Sequence, residues 1–304
     1  MVQALFYDKI FELLLTTEDE RNKLKSFEIL CNLIHSEAQR QRMAGESYFQ
    51  RVYDAFNQQK IDNRTMEKLS WMTTLICFYP DMIEQIVSLN LLEFIIRISG
   101  PAFPSNIRSN AVLALSLLTY HEKMFDELIQ RGVIDLVMDL CKDNNGDLQV
   151  KQFSTLALVH FALNKQSISI LIEKGVMDLF NSFSSIDNEV IQTNVSWIFL
   201  ALCNNGITGK TMLENGITRD MFLVSCNPQF NQIRHLVIAG FAELGRCTEL
   251  KDSEEKNLGA EMQKIKETAI VGMHQNFRNE AERTIDILLR FSVSHVLFPL
   301  HSLG

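Results

Sequence analysis

Residues 128–140, LIQRGVIDLVMDL, and residues 171–183, LIEKGVMDLFNSF, are two copies of one pattern. Each runs into a polar turn, DNNGD at 143–147 or SSIDN at 184–188, and then into a long apolar segment, 150–163 or 191–203. Repetition at a fixed period decides a fold before any residue-level reading does. The opening glycines, Gly132 and Gly175, stand 43 residues apart; Gly216 follows 41 later, and Asn90 lies 42 before Gly132. Glycine enters positive φ without steric cost and asparagine tolerates it next best, so this row marks a left-handed turn ahead of a helix.

Working outward, one late apolar position can be followed through the chain: Leu33, Ile76, Leu118, Phe161, Leu202 and Leu244, at steps of 43, 42, 43, 41 and 42. Apolar spacing of three and four residues within each long segment reads as an amphipathic helix. The chain is 46% hydrophobic with only five prolines, and alternating strand patterns are scarce. Each full unit reads as a short helix, a second helix opened near the anchor, a polar turn and a longer third helix. Third helices are expected at about 22–35, 65–79, 107–120, 148–163, 190–204 and 231–246. Six units fill residues 1–247; residues 248–304 hold a charged loop and a degenerate capping unit, the polar end that a stack of repeats requires.

Composition removes several functions. A net charge of −8 and a pI of about 5.4 speak against general affinity for a nucleic-acid backbone. No apolar run reaches the roughly 20 residues that span a bilayer, and the opening residues lack a secretory layout. The six cysteines form no CxxC and sit mostly in helical apolar patterns, which indicates a reducing compartment and no disulfide framework. The seven histidines fall in different units without HxxH or HExxH, so no metal site is expected. NGITGKT at 205–211 lacks P-loop spacing, and no GxSxG is present, so no cofactor, no small-molecule substrate and no enzymatic activity are expected.

Three helices in about 42 residues is the armadillo layout, and the units resemble armadillo repeats by motif as well as by period. GVIDLV at 132–137 and GVMDLF at 175–180 resemble the Gly-hydrophobic start of that family's second helix; IQTNVSWIFLAL at 191–202 and IRSNAVLALSLL at 107–118 resemble its third helix. The resemblance implies an all-α, right-handed superhelical armadillo solenoid. Its closest flavour is importin-α: Trp71 and Trp197 occupy the Trp position of the third helix, and residues 272–291 look like a terminal repeat of that family. In importin-α, that Trp and an Asn four residues later line a concave groove holding an extended basic peptide. Here the Asn position reads Asn32, Leu75, Leu117, His160, Ala201 and Glu243, so no Trp–Asn pair survives. With the first unit opening the sequence, no basic importin-β-binding segment is expected ahead of it.

These readings lead to a non-catalytic scaffold or adaptor that holds a partner protein in the groove of a solenoid. The alternatives are an importin-α-like nuclear-import adaptor for basic signal peptides and an axonemal or cytoskeletal component. The expected location is the cytoplasm, with the nucleus and the cilium or cytoskeleton as alternatives, and not outside the cell. The candidate groove residues are Trp71 with Glu67, Trp197 with Asn194, and His160, Asn204, His235 and Glu243. Glu67 precedes Trp71 by four residues and Asn194 precedes Trp197 by three, the spacings that put side chains on one helical face.

Overall fold

A computed structural model describes residues 2–58, 61–143, 147–183 and 186–205, together with scattered single positions up to 240. Every regular element among the described residues is helical. The expected boundary at 247, the sixth third helix as a whole, and Leu244, His235 and Glu243 lie outside them.

Two helices come first, α1 (Val2–Thr16) and α2 (Glu20–Ile34). Four three-helix sets follow: α3 (Glu37–Gly45), α4 (Tyr48–Gln58) and α5 (Asn63–Phe78); α6 (Ile83–Ser88), α7 (Leu91–Ile98) and α8 (Ser105–Leu118); α9 (Phe125–Gln130), α10 (Val133–Lys142) and α11 (Leu148–Leu163); α12 (Lys165–Glu173), α13 (Met177–Phe183) and α14 (Glu189–Cys203). Short 3-10 turns, Pro80–Met82 and Glu122–Met124, lead into α6 and α9. The long helices α2, α5, α8, α11 and α14 are the third helices that the period predicts.

Two local devices repeat with the period. Ser47, Asn90, Gly132 and Gly175, at steps of 43, 42 and 43, all have positive φ (58°, 50°, 70° and 79°). Each sets the chain into the second helix of its unit. Asp19, Asp62, Pro104, Asp147 and Asn188 precede the third helices. Except for Pro104, their side chains accept hydrogen bonds from the first-turn backbone N–H groups, which otherwise lack partners. α5 stops because Tyr79 precedes Pro80 and adopts an extended conformation.

The chain divides into two compact units, residues 1–137 with 145–157, and residues 138–144 with 158–304. In the first, α2, α5 and α8 lie side by side, with α1 against α2 and α7 against α8. In the second, α13 packs on α14, and the Phe180 and Phe199 rings meet edge to face at 6.3 Å. Ile76, Leu118, Phe161 and Leu202 are wholly buried, as their shared register predicts. Leu33 departs from that expectation: it is half-buried, while Ile34 beside it is wholly buried. α2 begins the row of third helices, so the side turned away from α5 has no helix of that kind against it.

Within the first of these units, the junction of neighbouring repeats around Arg40 is polar. Arg40, only 6% exposed, donates from Nε and Nη2 to the two carboxylate oxygens of Asp81, at 3.0 Å each, and from Nη1 to the Ile34 carbonyl at 2.9 Å. Its guanidinium lies 3.7 Å from the centre of the Tyr79 ring. Burial pushes the Asp81 carboxyl up, but the bonds from Arg40 and Gln41 and the Arg40 charge outweigh it and hold the group below its ordinary value.

Candidate functional site

The third helices α5, α8, α11 and α14 bury most of their circumference and leave one row of positions open, at the three- and four-residue spacing of a single face, while α2, first of the row, is open over a wider side. The Trp position lies in that row in all five third helices: Glu28, Trp71, Leu113, Leu156 and Trp197 are exposed or half-buried. Trp71 is 41% and Trp197 40% exposed. Seven residues further along come His35, Phe78, Tyr120, Leu163 and Asn204, all exposed. Seven residues are close to two helical turns, so within α5 and α11 both positions share one face; His35, Tyr120 and Asn204 follow just after the last residues of α2, α8 and α14.

On α5 and α8 this face is apolar. It carries Trp71, Leu75 and Phe78 on one helix, and Leu113 and Leu117 on the next with Tyr120 in the turn just after it, each 42 residues on. Phe78 is 57% and Tyr120 75% exposed, Leu113 and Leu117 are half-buried, and Leu75 is nearly covered. The two helices are tied together beside this face. The Asn110 amide donates to Ser70 Oγ at 3.0 Å, and the Thr74 hydroxyl donates to the Asn110 carbonyl at 2.9 Å.

The lysine and arginines bordering the face are engaged within the molecule. Lys68 pairs with Glu28 at 3.3 Å and Arg64 with Glu20 at 3.2 Å, both joining α5 to α2. Arg108 Nε donates to the Ser99 carbonyl at 3.3 Å. At the head of α11, the Ser105 hydroxyl bonds Asp147, and together with the first-turn amides it holds that carboxyl below its ordinary value against the opposing effect of burial. Asp62 behaves alike: burial raises it, and the bonds from Thr65 and the backbone N–H groups of Thr65 and Arg64 outweigh burial and lower it.

The predicted groove residues do not all share this face. Glu67 is half-buried one turn before Trp71, and His160 is half-buried on α11. Asn204 is exposed at the end of α14. Asn194 is a correction: it is 8% exposed, so little of its side chain is open to a partner, and Thr193 takes the half-open position one turn before Trp197. Asn194 falls 84 residues after Asn110, two repeat periods, at the place that ties one third helix to another in the first unit. Phe78, Tyr120 and Leu163 were not among the predicted residues. Their common period is the signal that finds them; as isolated apolar residues near helix ends they read as core.

Burial pushes the Cys31 thiol up to about 12 and drives Cys77 higher, so neither is a thiolate at neutral pH. Among the described residues, no group of three or more His, Cys, Asp or Glu is placed to hold a metal ion. None of the described helices is long and apolar enough to cross a membrane.

No protein-family model matches the chain, and no curated protein matches it in sequence. Solved structures do. A designed armadillo repeat protein in complex with the peptide (KR)4 matches with a TM-score of 0.67 at 14% identity, over 78% of this chain and 98% of that one. The chain has the armadillo-repeat fold. Computationally designed armadillo repeat proteins for modular peptide recognition match equally well, with a TM-score of 0.67 at 14% identity over 77% of this chain and 98% of theirs. An engineered protein reaches 0.71 at 13% identity, over 94% of this chain and 69% of its own. At these identities the likeness carries the armadillo-repeat fold read from the sequence, and it does not show the likeness to importin-α.

Proposed function

We propose that this protein is a non-catalytic scaffold or adaptor that holds a partner protein against the open face of its third helices, in the groove that armadillo repeats form. The observation that carries this reading is the placement of Trp71 and Trp197. Both are large aromatic side chains at one repeat position, and both are exposed where a core tryptophan would be covered. Exposed tryptophan brings much contact area at small entropic cost and is a common anchor of protein interfaces. Armadillo structures similar to this one were designed for peptide recognition, which supports the same use of the fold.

A photo-cross-linking amino acid placed at Trp71 or Trp197 tests this in extract of the native source. Adducts with a protein at both positions, and not at the exposed Val87 on α6, are expected. No adduct, or equal adducts at all three, overturns the reading.

A second reading is an import adaptor for basic signal peptides, favoured by the (KR)4 peptide in the matching designed structure. The positions that would pin such a peptide's backbone weigh against it: Leu75, Leu117, His160 and Ala201 replace side-chain amides. Titration of (KR)4 followed by tryptophan fluorescence separates the two. No saturation below about 100 µM is expected; submicromolar binding that is lost in Trp197→Ala establishes the import adaptor instead.

A further inference from the structure

We infer that the apolar face of α5, α8 and the turn after α8, formed by Trp71, Leu75, Phe78, Leu113, Leu117 and Tyr120, takes an amphipathic α-helix of the partner, not an extended or a basic segment. The inference rests on the scaffold reading above and names the chemistry of its ligand.

Hydrogen-bond accounting selects the conformation. An extended peptide laid on this face places its backbone N–H and C=O groups against leucine and aromatic side chains, where few partners meet them. Burying such a group without a partner costs on the order of 1–3 kcal/mol by protein measurements. A helix satisfies its own backbone and offers only side chains. The open residues follow the three- and four-residue spacing that a helix matches. Rows at positions 71, 75 and 78 of one helix and 113 and 117 of its neighbour form ridges into which apolar ridges of another helix interlock, with Tyr120 closing the end of the second row from the turn after α8.

Charge selects the composition. None of the six side chains is charged. The bordering lysine and arginines are engaged with Glu28, Glu20 and the Ser99 carbonyl. Glu67, half-buried at the rim, remains beside Trp71, too little to hold a run of cations. The partner's contact stripe is therefore uncharged, with Leu-, Ile-, Phe- or Met-like residues at positions i, i+3, i+4 and i+7 and polar residues on its other face.

Selection of a random display library of peptides of about 20 residues on the full chain tests this without knowledge of the natural partner. Enriched peptides are expected to carry the i, i+3, i+4, i+7 apolar spacing and to gain helical circular dichroism on binding. They should lose at least about tenfold in affinity to Trp71→Glu or Leu117→Glu, each variant checked as folded by circular dichroism, and none to Val87→Glu. Enrichment of Lys/Arg-rich peptides, of period-two patterns, or of binders indifferent to Leu117→Glu overturns the inference, as does the absence of any enriched binder. Cross-linking at Trp71 with an extended or basic winner leaves the scaffold standing and removes the helix; no cross-link and no winner removes both.

Discussion

Around Arg40 a charged group lies inside the protein, whereas across α5 and α8 aromatic rings lie outside it. Buried charge and exposed apolar surface are the two departures from ordinary placement that carry information. At the first junction the departure is compensated from within. Asp81 takes two bonds from the guanidinium, the Ile34 carbonyl takes a third, and the Tyr79 ring covers its face. On the open face of α5 and α8, by contrast, Phe78 and Tyr120 remain more than half exposed. The polar departure is met by groups of the stack itself; the apolar one is where we propose that a partner binds. The two regions should therefore respond to mutation in opposite ways.

The largest effects are expected inside the stack. Phe161→Ala, a truncation of a wholly buried ring, should cost about 3–5 kcal/mol; urea unfolding measures it. Arg40→Ala leaves the buried Ile34 carbonyl without its partner and removes the cation from Asp81, whose side chain is 24% exposed, and should cost about 1–3 kcal/mol. A loss within roughly 0.5 kcal/mol at either site places that residue on the surface.

Acid should act next. Asp62, Asp81 and Asp147 are held below their ordinary value of 3.8 in the folded chain. A depressed carboxyl contributes stability that is present above its unfolded pKa and is lost as pH falls through the folded value. Thermal unfolding followed from pH 6 to about pH 2 should show a steady Tm down to about pH 4 and a fall below it. Asp81→Asn should shrink that fall.

The positive-φ row predicts smaller changes of both signs. Gly132→Ala forces a Cβ into the left-handed region and should cost about 1–2 kcal/mol. Ser47→Gly relieves the same strain and should change stability by less than about 1 kcal/mol, towards greater stability. If Ser47→Gly destabilises as much as Gly132→Ala, the two do not share one role.

Much of this architecture was legible in the chain because period is a long-range property that a sequence displays openly. Third helices at α2, α5, α8, α11 and α14 follow from a step of 41 to 43 residues. What was not legible depends on neighbours. Ser47 has no compositional mark of positive φ, and only its distance from Asn90 betrays it. Arg40 sits in the polar segment EAQRQRMAG, which reads as a solvated helix; its burial depends on Asp81, 41 residues away. Leu33 has the register of a core residue but stands on the first helix of a row. Asn194 and Thr193 are adjacent on α14, and spacing alone does not decide which of them turns outward beside Trp197. Both tryptophans, in contrast, were found by register, because the open position repeats as faithfully as the core.

The smallest effect on stability is expected where the effect on function is largest. Leu117→Glu with Tyr120→Glu adds charge to the open face of α8 and the turn after it without emptying a core position. Measured on that one variant, unfolding temperature and photo-cross-linking from Trp71 test the central claim together. The account predicts a Tm within about 4 °C of the parent chain and loss of the partner adduct. A Tm lower by more than about 10 °C would show that the face is part of the core, and an adduct formed as before would show that the partner does not use it.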